Sequence, residues 1–166
     1  MSAPAGAHAE TWDGDTDTNW FTDTNWNVAA PTGADDAYVT ILTNAPLITS
    51  AGAVADRLYL ATTAKATLGI NSGGTLTLAR AYLASSASGN GTLTLAGAGS
   101  LLTTTERPYV GYNGTGTANV TSGADLSTTT NYIGTEAGST GTLSLSGAGT
   151  TWTATGTTYI GSDGTG

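Results

Sequence analysis

Apolar and polar residues alternate in short stretches over most of this chain. In Thr92-Leu-Thr-Leu95, Leu93 and Leu95 fall on one side of an extended backbone and Thr92 and Thr94 on the other. The same parity recurs in Thr67-Leu-Gly-Ile70, Thr117-Ala-Asn-Val120 and Thr142-Leu-Ser-Leu145, and the starts of these segments lie 25 residues apart. A second series reads Tyr-(Leu/Val/Ile)-(Ala/Gly) and begins at Tyr59, Tyr82, Tyr109, Tyr132 and Tyr159, with spacings of 23, 27, 23 and 27. Short and long connections alternate, so the full unit is 50 residues. Laid over 142–166, residues 92–116 are identical at 13 of 25 positions, which puts the period beyond coincidence. A third apolar series, Leu76, Leu101 and Leu126, keeps the spacing of 25.

A period near 25 fits a leucine-rich repeat or a β-helix. After residue 37 no segment places apolar residues at i, i+3, i+4 and i+7, and Gly, Thr and Ser are poor helix formers. Each unit holds three alternating stretches parted by Gly-rich turns such as Ser72-Gly-Gly74, Gly97-Ala-Gly99, Ser122-Gly-Ala124 and Gly147-Ala-Gly149. The pattern therefore predicts an all-β fold, a right-handed parallel β-helix of about five coils with three short strands per coil. Coils stacked about 4.8 Å apart make a rod roughly 24 Å long. A single coil cannot bury its apolar side; its neighbours do.

The ends depart from the repeat. Residues 10–41 carry Trp12, Trp20, Trp26 and the only Phe, Phe21, and are read as an aromatic N-terminal cap with a first strand at Tyr38-Val-Thr-Ile41. Such a cap covers the open edge and core of the first coil. Residues 1–9 read as a leader remnant, since Ala7-His-Ala9 has the small-x-small form of a signal-peptidase site. Residues 42–166 are the coils. After Gly164-Thr-Gly166 the period calls for another Thr-Leu-x-Leu strand, so the chain is expected to be the leading part of a longer repeat protein.

Composition removes much chemistry. Four Lys+Arg against 12 Asp+Glu give a net charge of −8, too few cations to neutralise a run of phosphates, so no nucleic-acid partner is expected. There is no Cys and a single His, His8, which removes thiolate metal sites, Cys nucleophiles and Ser–His catalysis. No apolar run approaches the roughly 20 residues of a membrane-spanning helix, so direct insertion of this segment is not expected.

Three constellations remain. If the aliphatic residue after each tyrosine points inward, then Tyr59, Tyr82, Tyr109, Tyr132 and Tyr159 form an outward column. Arg57, Arg80 and Arg107 stand two residues earlier with the same parity. Such a stripe suits sugar stacking and ion pairing with anionic groups; equally, it suits lateral bracing of the sheet face. Asp13, Asp15 and Asp17 alternate like the start of a calcium loop, but Thr18 and Thr24 stand where an EF-hand needs Gly and Glu. A looser Ca²⁺ site is the one cofactor the sequence offers. The Thr-x-Thr ladder, interrupted by Gly69 and Asn119, is an outward hydroxyl column of the kind that orders water in ice-binding β-helices, and also an ordinary solvated strand face. For glycan cleavage the acids outside the cap are few; Asp56 and Glu106 share a column two coils apart beside Arg residues, which fits charge balance better than catalysis.

The text Gly-Thr-Leu-Ser-Leu-Ser-Gly-Ala-Gly-Thr-Thr-Trp at 141–152 and Tyr-Ile-Gly-Ser-Asp-Gly-Thr-Gly at 159–166 resembles the passenger-associated β-strand repeats of bacterial autotransporters. The opening Thr11-Trp-Asp-Gly…Asn19-Trp20…Asn25-Trp26…Pro31 resembles the leading segments of exported proteins in that group. The resemblance implies a secreted or cell-surface β-helical stalk or adhesin, not an enzyme, with surface glycans or host-cell molecules as partners. Two other readings stand beside it: a carbohydrate-binding or carbohydrate-cleaving β-helix using the Tyr/Arg face, and a fibre subunit that self-associates through open coil ends.

Overall fold

The computed structural model describes residues 7–166. The strands in chain order are β1 (Ala9–Thr11), β2 (Asp36–Val39), β3 (Leu47–Ile48), β4 (Ala53–Leu60), β5 (Lys65–Asn71), β6 (Thr75–Leu83) and β7 (Asn90–Ala96). They continue as β8 (Leu101–Val110), β9 (Thr115–Thr121), β10 (Asp125–Thr128), β11 (Asn131–Ile133), β12 (Thr140–Ser146), β13 (Thr151–Ala154) and β14 (Thr158–Ile160). All pair in parallel with the strand one turn away, in a broad sheet (β1-β2-β4-β6-β8-β10-β13, with β11 and β14) and a second sheet (β3-β5-β7-β9-β12). The chain is a parallel β-solenoid of about 6 turns.

The alternation read from the sequence builds the core directly. Ile48, Ile70, Leu95 and Val120 form one fully buried column, and Val39, Leu60, Leu83, Val110 and Ile133 another on the opposite sheet. Burying each Leu or Ile contributes about 1.5–3 kcal/mol, and only stacking makes that burial available. Leu145 (41% exposed) and Ile160 (65%) continue these two columns on the last rung, where one side of each is uncovered.

Four details differ from the sequence reading. First, the second and third predicted strands run together in β4, β6 and β8, and separate only in the last two turns. In the first of these gaps, between β10 and β11, Asn131 Nδ2 donates to the Thr129 carbonyl at 2.9 Å. Second, the column below Leu126 contains Leu102, not Leu101: Leu76, Leu102 and Leu126 pair in register, and Leu102 is buried while Leu101 is half-buried. β8 carries one residue more than β6, absorbed in a register shift opposite Leu78/Arg80. Third, the solenoid starts earlier than residue 42, because β2 already pairs along β4 and Tyr38 lies opposite Tyr59. Fourth, the sequence groups His8 and Ala9 with a leader, yet His8 N–H donates to Asp35 at 3.0 Å and Ala9 opens β1; the rest of that leader, residues 1–6, lies outside the described residues.

The N-terminal end is closed by the three tryptophans, whereas Phe21, which the sequence groups with them, is exposed at the surface. Trp12, Trp20 and Trp26 are buried and meet edge to face at 5.1 and 4.7 Å, with Trp26 Nε1 donating to the Trp20 carbonyl at 2.8 Å. Turn chemistry follows the 50-residue unit. Ser72-Gly73 and Ser122-Gly123 both carry positive φ (55°, 84° and 57°, 82°), whereas the other two turns use Gly97 and Gly99 or Gly147 and Gly149.

Register is enforced by close backbone approach. Gly91, Gly116 and Gly141 stack in one column, and a Cβ on Gly141 would lie 2.1 Å from the Val110 carbonyl oxygen and 2.4 Å from Gly134 N. Gly141→Ala is expected to cost about 3 kcal/mol or more and to lower Tm by roughly 6–12 °C in calorimetry. Gly33→Ala, where a Cβ meets nothing within 4 Å, leaves Tm unchanged. A second expectation concerns the column Leu68-Leu93-Ala118-Leu143, where the small Ala118 borders an enclosed apolar void together with Leu93, Pro108 and Val120. Ala118→Leu fills it, and a gain of about 1 kcal/mol should raise Tm by roughly 2–4 °C; a fall in Tm would show the column already full.

Candidate functional site

Parallel, in-register pairing sets every side chain of one turn on its counterpart in the turn before. The broad sheet therefore brings the tyrosines together as a column of six, since Tyr38 joins the five in the Tyr-(Leu/Val/Ile)-(Ala/Gly) series. Successive ring centroids are 4.6, 5.0, 4.9, 4.9 and 5.0 Å apart from Tyr38 to Tyr159, with interplanar angles between 5° and 18°. Tyr112 closes on the middle of this column, edge to face with Tyr82 at 5.4 Å and with Tyr109 at 5.2 Å. Each inner ring has both faces covered by its neighbours. What the column offers to solvent is ring edges and phenol hydroxyls.

Arg57, Arg80 and Arg107 also pair in register, one rung above another. Arg57 lies 3.6 Å from Asp36 and 3.5 Å from Asp56, and Arg80 Nε donates to Glu106 at 2.5 Å. Arg107 is exposed and, among the described residues, forms no ion pair. Hydrogen bonding holds all three guanidiniums above their ordinary pKa: to the Tyr59 phenol for Arg57, to Glu106 and then the Tyr82 phenol for Arg80, and to the Tyr109 phenol for Arg107. Burial raises the phenol pKa of Tyr38 and of Tyr112, the latter helped by the Glu136 charge. The stripe thus sets guanidinium cations beside phenol hydroxyls. It can donate hydrogen bonds and pair with anions.

Asp56 and Glu106, the two acids sharing a column, are both engaged by arginines. Asp13, Asp15 and Asp17 are not gathered into a ligand set: among the described residues no group of three or more His, Cys, Asp or Glu side chains is placed to hold a metal ion. Asp17 instead accepts hydrogen bonds from Asn25 Nδ2 at 2.6 Å and from Asn19 N–H at 2.7 Å, the first of which does most to hold its carboxyl below the usual range. Asn25, fully buried, returns its Oδ1 to the backbone N–H groups of Thr16 and Asp17 at 3.0 and 2.9 Å. The acidic run is thus wound around one asparagine and forms the wall of the cap.

Two residues of the stripe escape a reading of the period alone. Tyr38 stands in Tyr-Val-Thr rather than Tyr-Leu-Ala, at a spacing of 21 from Tyr59, yet its Tyr-Val start is the available signal. Tyr112 follows the corner at Gly111 and has no counterpart in other turns, so nothing periodic marks it.

No helix among the described residues is long and apolar enough to cross a membrane. No curated protein and no solved structure matches the chain. The model of a family described as "Domain of unknown function (DUF8693)" matches residues 11–143, from the first cap tryptophan's neighbour to the strand of the last turn. The match takes in the cap and the Tyr/Arg stripe from Tyr38 to Tyr132, and the chain belongs to that family.

Proposed function

We propose that this chain is a non-catalytic structural rod, a secreted or surface-displayed stalk segment that holds other parts of its molecule at a distance and presents fixed side-chain columns. The observation that carries the reading is the continuous parallel pairing of both sheets from the tryptophan cap to the last turn, interrupted by a single register shift opposite Leu78/Arg80, with the tyrosines stacked over the same length. Stacked aromatic pairs add about 0.5–1.5 kcal/mol each beyond burial, which favours bracing of the sheet as their main work. Export and display rest on the likeness of residues 141–152 and 159–166 to autotransporter passenger repeats. Antibodies to an exposed turn such as that at Ala98 should label intact cells that produce the protein. Labelling confined to permeabilised cells would defeat this reading.

A second reading, recognition of acidic glycans, is favoured by one observation: Arg107 is the cation of the stripe without a carboxylate partner among the described residues. With both faces of the inner rings covered, the stripe beside Arg107 offers neutral sugars no stacking platform, which favours anionic glycans. On a glycan array, retention should be restricted to sulfated or carboxylated sugars and lost in Arg107→Ala. Binding of neutral sugars, or binding indifferent to Arg107→Ala, speaks against it.

A further inference from the structure

The outward face of the second sheet is chemically unlike the rest of the chain. Its columns run Lys65-Asn90-Thr115-Thr140, Thr67-Thr92-Thr117-Thr142, Gly69-Thr94-Asn119-Ser144 and Asn71-Ala96-Thr121-Ser146, each in register from β5 through β12. None of the 12 acids of the chain lies on it, its one charge is Lys65 at the margin, and it carries no aromatic side chain. Beneath it Leu68, Ile70, Leu93, Leu95 and Val120 are buried, so the face rests on a packed layer and cannot readily deform.

Several hydroxyls of the chain are taken up by the protein: Ser86 bonds the Thr62 carbonyl, Ser100 that of Ala96, Thr150 that of Ser146 and, in the margin column of this face, Thr121 that of Leu95. The two central columns differ. Thr67, Thr92, Thr94, Thr117 and Thr142 stand on them as a grid of hydroxyls and methyls, with repeats of about 4.8 Å between rungs and about 6.6 Å between alternate residues of a strand. A rigid grid of this kind fixes its hydration waters at regular intervals, with methyl groups caging those held by the hydroxyls.

From this we infer that the second sheet's outer face binds a crystalline water lattice, an ice surface. Two considerations select this occupant. A glycan surface needs aromatic platforms or charge to gain over its own hydration, and the face has neither apart from marginal Lys65. A solute held by hydroxyls alone exchanges one set of water-like bonds for another, whereas ice meets a face whose water is already ordered. The interruptions at Gly69 and Asn119 fall in one column and leave the Thr67-Thr92-Thr117-Thr142 column whole. The inference is independent of the stalk reading, since any rod with this sheet would carry it.

The test is slow ice growth from a dilute solution of the full chain, with protein assayed in ice and in residual liquid, alongside inhibition of ice recrystallisation. The wild-type chain should be taken into the ice and should arrest crystal coarsening. Thr92→Lys/Thr117→Lys, which plants two charges mid-face at solvated positions, should lose both effects while keeping its thermal melt. Thr117→Lys alone serves if the double variant does not fold, and Ala98→Lys on an exposed turn should behave as wild type. Exclusion of the wild-type chain from ice overturns the inference, as does uptake that survives the lysine substitutions. Concentration-dependent dimers that the lysines dissolve, with no ice uptake, overturn it in favour of a second copy as the occupant.

Discussion

Parallel pairing in register is the constraint from which the rest of this molecule follows. Because each strand bonds to the strand one turn away, like residues come to lie on like residues. Aliphatic side chains become continuous columns, tyrosines become a stack, and threonines become a grid. A slip of one residue in any turn would reverse the facing of every side chain in it, exposing Leu93 and Leu95 and driving Thr92 and Thr94 into the core. The glycine column at Gly91, Gly116 and Gly141 holds the register from another direction, since a side chain there collides with the neighbouring backbone. Two independent restraints, burial and backbone contact, therefore choose the same alignment.

The same constraint makes the first turn a problem, because its strand edges and core have no rung beneath them. Three tryptophans answer the apolar half of this. Trp12 follows β1, its N–H donating to the Tyr38 carbonyl at 2.9 Å, and Trp20 and Trp26 lock against each other through the Trp26 Nε1 to Trp20 carbonyl bond. The polar half is answered by Asn25, whose amide binds Asp17 and the Asn19 carbonyl while its oxygen receives two backbone N–H groups. A buried amide with its hydrogen bonds satisfied stabilises a tight loop that no sheet supports. Asp17 works here as a loop clamp, which accounts for an alternating acidic run that is not assembled into a ligand set.

The repeat was legible because period survives in sequence whenever each turn must match the last. The inward parity of Leu68, Leu93 and Val120, the outward Tyr and Arg columns and the aromatic cap all follow from counting positions. What counting could not supply were features set by lengths that break the period. The turn before β8 holds one residue more than the turn before β6, which moves the core residue from Leu101 to Leu102, and the separate register shift opposite Leu78/Arg80 has no signature in residue type. Merging of the second and third strands in β4, β6 and β8 and their separation in the last two turns likewise leave no mark in the period. At the stripe, position was readable and presentation was not: alternation places the tyrosines outward, but only coordinates reveal that they cover one another's faces.

That distinction bears on what the molecule does. A tyrosine offered singly on a sheet presents one ring face to a sugar, whereas a tyrosine on every rung, about 5 Å apart, presents that face to the next tyrosine instead. Regularity in the ladder thus adds rigidity and removes the commonest sugar-binding mode at once. Threonine behaves oppositely under the same stacking. Its hydroxyl lies at the tip of a short side chain, so repetition multiplies the exposed groups without covering them and fixes their spacing. One prism, by a single rule of stacking, therefore carries a face closed upon itself and a face open to an ordered surface.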